Sequence, residues 1–362
     1  MKNLFLGLLS LLSVNLYSQE YKVFHTAICY DLLSSIENFE TLTESSMYKD
    51  YLATDSIFLS NIELINNAIT ASNLCNLYAS LPTNKDNIDD CISFFISFTP
   101  DMIPQEFQGR YVEKIYAVKS EIIAVVNTLK DAGYEEYWKQ NVRQKLEKAI
   151  NNYIFDEGLL ENIHKEINSL AGSMPLSNDF SKIYILDIGN AFSLNDETFC
   201  CTYFLLNKEI AKQYRIDFVQ VYIHENLHRL YLSKELMTQL EFLYTTDEFY
   251  RVNESKATEH REGRNEAFIV AAETYISRKL GLKSDEDVLT EFTEYLEGSL
   301  VLSPIIYNNL QDKKKTESYN DFLLRLLKKG IIESGDIEKQ YNSAMKIIKD
   351  KVQKTATNNG LL

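Results

Sequence analysis

The sequence predicts a mainly α protein with a small β component (α+β). Glycine and proline are scarce, 12 and 5 of 362 residues, against usual levels of roughly 7% and 5%, which argues against turn-rich sandwiches and barrels. Apolar residues recur at helical spacing over most of the chain, and only two short segments are rich in β-branched and aromatic residues. Hydrophobic residues make up 45%, with 23 Tyr and 19 Phe, so the chain has the apolar surface for a core and is not disordered. Its formal charge of −15 makes phosphate backbones and anionic lipid poor partners.

The first element, MKNLFLGLLSLLSVNLYSQE, has a basic Lys2, an apolar run from Leu4 to Leu16 and the small Ser18 ahead of Gln19. This is the pattern of a secretory signal peptide over residues 1–18, cut between Ser18 and Gln19. The run is too short to span a bilayer comfortably. The mature protein is therefore expected to be secreted or periplasmic, with no membrane insertion once the signal is removed.

Residues 19–178 read as a helical N-terminal lobe. Val112, Ile115, Ile122, Val126 and Leu129 predict a helix over Gln105 to Ala132 with Gly133 as its C-terminal cap. A second helix is expected from Glu135 to Ile154, carrying the only tryptophan, Trp138. The boundary falls in AGSMPLSND, Ala171 to Asp179, where Gly, Pro, Ser and Asn combine. Five cysteines, Cys29, Cys75, Cys91, Cys200 and Cys201, form no CxxC motif. Export permits a disulfide, for which Cys75 and Cys91 are the first pair to consider; small buried side chains are the alternative.

Residues 179–362 form the second expected domain. Lys182 to Ile188 and Thr198 to Leu206 read as neighbouring strands separated by a turn, GNAFSLNDE. Asp217 followed by Gln220 forms a capping box for a helix to about Leu232. Further helices are expected over Lys234 to Tyr244, Asn265 to Leu280, Asp285 to Leu296 and Tyr319 to Lys329.

The capped helix holds the chemistry. Residues 224–228 read His-Glu-Asn-Leu-His, an HExxH motif. Four helical residues turn the chain by about 400°, so His224 and His228 project about 40° apart, one turn along the axis. Two imidazoles then occupy adjacent corners of a zinc tetrahedron. Glu225 lies about 100° round from His224, beside the metal, where it can take a proton from an activated water and pass it to a leaving amine. A separate apolar strip, Val219, Ile223, Leu227 and Leu230, leaves the histidines free of the core face.

Two histidines do not complete a zinc site. The continuation HExxHxxGxxH is absent, because positions 231 and 234 are Tyr231 and Lys234, which favours a carboxylate as third ligand. Glu266 and Glu273 interrupt the apolar helix NEAFIVAAETYIS, and seven residues place them within about 20° of each other. Carboxylates on a buried helix are costly unless a cation or an imidazole meets them. One would ligate the metal, and the other would orient a histidine.

His224-Glu225-x-x-His228 followed by Asn265-Glu266-Ala267 resembles the gluzincin group of zinc metallopeptidases, over roughly residues 182–280. Thermolysin-like members have a similar NEA around the ligand, so the resemblance implies His224, His228 and Glu266 as zinc ligands, with Glu225 as general base. The implied fold is a zincin-like catalytic region in which a small sheet stands with the HExxH helix. It also implies a protein or peptide substrate paired to a cleft-edge strand, for which Thr198 to Leu206 is the candidate. Asn190-Ala191-Phe192 is similar to an element near the cleft of some members. Two departures are the longer gap of 38 residues between His228 and Glu266 and the charged Arg229 after the second histidine, which opposes a metal unless it turns away. The group also uses a Tyr or His on the oxyanion, for which His260, Tyr250, Tyr275 and Tyr307 are candidates. His25 and His164 have no expected catalytic role.

The expected function is that of an exported zinc metallopeptidase, with a permanent N-terminal lobe. A secreted helical binding protein with a structural or inactive zinc site is the alternative, and Glu225 discriminates, since a structural site has no use for a base.

Overall fold

Helices dominate and one small mixed sheet accompanies them, as the scarcity of glycine and proline predicts. The computed structural model describes residues 23–45, 48–103, 110–154, 156–176, 182–195, 198–213, 216–260 and 263–358. The expected signal peptide, its cleavage point and part of the expected boundary segment lie outside the described residues. Among the described residues no helix is long and apolar enough to cross a membrane.

The chain divides into two compact units, Met1–Tyr153 with Phe180–Asn207, and Ile154–Asp179 with Lys208–Leu362. In the first, β1 (Phe24–His25) precedes α1 (Ile28–Glu37), α2 (Ala71–Ala79), α3 (Arg110–Ala117), α4 (Lys119–Asp131) and α5 (Arg143–Asn152). The unit also holds helices Phe39–Ser45, Lys49–Leu52, Ser56–Ala68, Ile88–Ser97 and Tyr134–Tyr137, and strands β2 (Lys182–Leu186), β3 (Phe192–Asn195) and β4 (Thr198–Thr202). The single helix expected across 105–132 is two, because the backbone leaves helical geometry at Val118 (φ −108°, ψ 20°). The second expected helix contains a π-helical turn over Trp138–Val142.

The sheet has the order β1-β2-β4-β3. β2 pairs parallel with β1 and β4, and β3 pairs antiparallel with β4. The segment expected as a turn thus contains a strand, β3. β4 is flanked on both sides and wholly buried, so it has no free edge with which to pair a substrate, contrary to the sequence expectation. The sheet, assigned from sequence to the catalytic domain of 179–362, belongs with the N-terminal helices. Two contacts explain why: Phe24 and His25 register with Ile183 and Tyr184, and Asn76 of α2 donates to the Ser193 carbonyl at 3.3 Å. All five cysteines are buried free thiols. Cys75 faces Ser34 Oγ at 3.8 Å and is not joined to Cys91.

The second unit gains α6 (Glu157–Ala171), which the sequence placed in the N-terminal lobe. Lys279 reaches Glu166 at 2.5 Å, and Lys313 donates to the Ser169 carbonyl at 3.1 Å. Beyond α6, Gly172 (φ +64°) lies so close to Glu317 that an added Cβ would stand 2.1 Å from its carbonyl oxygen. Among the helices that follow are α7 (Phe218–His228), α8 (Lys234–Thr246), α9 (Glu248–Glu259), α10 (Glu266–Lys279), α11 (Asp285–Glu294) and α12 (Tyr319–Lys328), with further helices over Lys208–Gln213, Leu302–Asn309 and Ile337–Asn358. α7 ends at His228, short of the expected Leu232; α8, α10, α11 and α12 stand within a few residues of their expected bounds, and α9 is a helix the sequence reading does not include. α7 packs against α6 and α10. On α10, Phe268, Ile269 and Val270 are each 1% exposed. Their burial contributes about 1.5–3 kcal/mol each, which offsets the cost of seating two carboxylates in the same helix.

Candidate metal centre

α7 begins where the sequence predicts. Asp217 accepts from the Gln220 amide at 2.9 Å, and the Gln220 side chain returns a hydrogen-bond acceptor to the Asp217 amide at 3.3 Å. Phe218, Val221, Tyr222, Ile223 and Leu227 bury one side of the helix. His224 and His228 emerge one turn apart on the side that meets α10, where Glu266 opens the helix and Glu273 follows two turns on. Glu266 and Glu273 are 1% and 6% exposed, as the apolar context of α10 requires.

The three expected ligands converge. Nε2 of His228 lies 3.1 Å from Nε2 of His224. Oε1 of Glu266 is 3.4 Å from His224 Nε2, and Oε2 is 3.6 Å from His228 Nε2. Ligands placed about 2.0–2.1 Å from one tetrahedral centre stand about 3.4 Å apart. The donor set therefore fits zinc in both chemistry and spacing.

No known protein family matches the chain, and neither does any curated protein or solved structure.

Glu273 takes the orienting role. Its Oε2 accepts from His224 Nδ1 at 3.2 Å, so that once the imidazole is neutral its lone pair is on Nε2, the nitrogen facing Glu266 and His228. Its Oε1 accepts from Lys283 at 3.0 Å. Glu225 is 7% exposed and close enough for its charge to act on His224. Arg229 donates from Nη1 to Asn226 Oδ1 at 2.8 Å.

The field at the site is strongly negative. Burial alone disfavours a charged His224, yet the Glu273 hydrogen bond and the charges of Glu266, Glu273 and Glu225 overcome it and push the imidazole up to about 10. Burial and the neighbouring His224 charge push His228 down to about 3. Carboxylates that draw a proton onto a buried imidazole are the environment that a divalent cation would satisfy.

Of the oxyanion candidates, Tyr250 is buried beside Glu254, Tyr275 packs on Tyr307 at 6.4 Å between ring centres, and His260 faces Glu297 at 3.9 Å. A phenol that does reach the ligand set is Tyr295, which sequence reasoning missed: its hydroxyl donates to Glu266 Oε1 at 3.2 Å. It precedes a left-handed turn of Leu296, Glu297 and Gly298, with φ of 46°, 58° and 69°. Two successive non-glycine residues in that region are uncommon and costly, and no local sequence signal announces them. Of the two histidines set aside, His25 lies in β1 and His164 meets Asn168 Nδ2 at 2.8 Å.

Proposed function

We propose that this chain is an exported zinc metallopeptidase of the gluzincin type, acting on protein or peptide substrates. The observation that carries the reading is the convergence of His224, His228 and Glu266 at tetrahedral ligand spacing, with the buried Glu225 near enough for its charge to act on His224. His224, His228 and Glu266 would hold the ion. Zinc bound there would act as a Lewis acid and bring the pKa of a coordinated water to about 7.

The chain's own residues do the rest. Glu225 accepts the proton of the attacking water and returns it to the leaving amine nitrogen, so no covalent intermediate with the protein is required. Glu273 keeps the proton of His224 on Nδ1, and the Tyr295 hydroxyl fixes one oxygen of Glu266. The presence of a buried carboxylate next in sequence to a ligand favours hydrolysis over a purely structural site.

Metal analysis combined with Glu225→Gln tests this reading. The full-length protein is expected to hold one zinc per chain and to cleave a mixture of quenched fluorescent peptides. Glu225→Gln is expected to keep the zinc and lose the cleavage. Unchanged cleavage in that variant, or a zinc-free wild-type protein after incubation with the metal, rejects it.

A further inference from the structure

Behind His224 the second unit buries a second layer of charge. Lys283 is 5% exposed, and its ammonium donates to Glu273 Oε1 at 3.0 Å and to Glu291 Oε2 at 2.7 Å. Glu273 meets His224 Nδ1 through its other oxygen. A continuous polar chain thus runs from His224 through Glu273 and Lys283 to Glu291, linking α7, α10 and α11.

Stability alone is a poor reason for such a network, because apolar residues of similar volume are often as stabilising as a buried ion pair. A requirement for fixed orientation is a better one. His224 presents Nε2 toward Glu266 and His228 only while Nδ1 carries the hydrogen and faces Glu273. A glutamate side chain has several rotatable bonds, and a single hydrogen bond leaves its second oxygen free to swing. Lys283 occupies that oxygen.

The backbone is shaped to deliver the lysine. At the end of α10, Gly281 (φ +75°) adopts the left-handed conformation. Its amide donates to the Arg278 carbonyl at 3.2 Å, and the Leu282 amide donates to the Ser277 carbonyl at 2.8 Å. This paired closure reverses the chain at the helix end and returns Lys283 toward Glu273, ten residues upstream. Ser284 then caps α11, which carries Glu291.

We infer that Lys283 is a positioning residue of the metal centre, acting through Glu273 to hold the His224 imidazole with Nε2 toward the other two ligands. The inference rests on the metal-centre reading above and adds a residue that lies outside the ligand set and outside the HExxH motif.

Zinc affinity, by competition with a chromophoric chelator, and the visible absorption of bound Co2+ test it in the full-length protein. Lys283→Met is expected to weaken zinc binding about 10–100-fold and to change the Co2+ bands, which report ligand geometry and not global stability. Glu273→Gln is expected to do the same. In the Glu273→Gln background, Lys283→Met is expected to add no further loss, the signature of two residues acting in series. Wild-type affinity and an unaltered Co2+ spectrum in Lys283→Met overturn the inference, as do fully additive losses. If Lys283→Met does not fold, Glu273→Gln and the double variant decide: equal affinities support the inference, and a further loss in the double overturns it. A wild-type protein that binds neither ion overturns the metal-centre reading itself, whereas tight wild-type binding with an unaffected Lys283→Met overturns this inference alone.

Discussion

The indole nitrogen of Trp138 donates to Asp31 Oδ2 at 2.8 Å, in the interior of the first unit. The Asp187 amide donates to the other Asp31 oxygen at 2.6 Å, and Asp187 itself pairs with Lys145. Burial raises the Asp31 carboxyl, the two hydrogen bonds and Lys145 counteract it in part, and the group stands at about 7 against an ordinary 3.8. A carboxyl raised in the folded state favours folding fully below the unfolded value and loses that contribution as pH rises through about 7. The associated stability change is at most about 4 kcal/mol. Urea unfolding is therefore expected to show higher stability at pH 5 than at pH 8. Because Trp138 is the only tryptophan, its fluorescence is expected to titrate with the same midpoint. Asp31→Asn should abolish both pH steps, and a wild-type profile flat from pH 5 to 8 rejects the assignment.

Glu266 and Glu273 share a helix face but are expected to differ in what they lose. Glu266→Ala removes the carboxylate proposed as the anionic ligand, so zinc content should fall well below one per chain at moderate metal concentration. Glu273→Ala should retain zinc at saturation with affinity reduced about 10–100-fold. Metal content by atomic spectroscopy, before and after dialysis, separates the two. Equal losses reject the division of roles.

The two carboxylates also show how far the sequence carries the site. The HExxH spacing, the Asp217 and Gln220 cap and the seven-residue interval between Glu266 and Glu273 are local periodicities, and helical geometry converts each directly into position. What escaped depends on distant or strained backbone. Tyr295 reaches Glu266 from the entry to a left-handed turn that residue preferences disfavour, and Lys283 returns to Glu273 only through the reversal at Gly281. β1 is two residues long and pairs with a strand more than 150 residues away, so neither its existence nor the central place of β4 is written in local pattern. The two units differ from a simple division at residue 179 for the same reason, since the strands beyond it pair back to β1.

Gly172 and Gly281 are both left-handed, and alanine should separate their roles. At Gly172 an added Cβ meets the Glu317 carbonyl at 2.1 Å, whereas at Gly281 nothing stands within 4 Å. Gly281→Ala should cost about 1–2 kcal/mol, the price of the conformation alone. Gly172→Ala should cost more, about 3 kcal/mol or above, because backbone must also move. Chemical denaturation of the two variants checks the order, and a smaller loss at Gly172 rejects it.

The turn after Tyr295 offers a converse test. Leu296→Gly relieves a left-handed leucine and is expected to raise stability by about 1 kcal/mol. Tyr295→Phe removes the hydroxyl that holds Glu266 Oε1, and zinc affinity is expected to fall about tenfold, in line with a hydrogen bond to a charged group. Thermal unfolding and chelator competition report the two outcomes, and unchanged affinity in Tyr295→Phe leaves that hydroxyl without a role at the ligand.

The chain passes between its two units three times, at residues 153, 179 and 207, so neither unit is a continuous stretch of gene. During synthesis the first unit lacks its β2, β3 and β4 strands until residue 202 has left the ribosome, by which time α6 has already been made for a unit whose other helices do not yet exist. A single cut near residue 178 would separate β1 and α1 to α5 from β2, β3 and β4, and α10 from the Glu166 contact. Expression of the second unit alone would require rejoining 154–179 to 208–362 across the missing strands, which a simple truncation cannot provide.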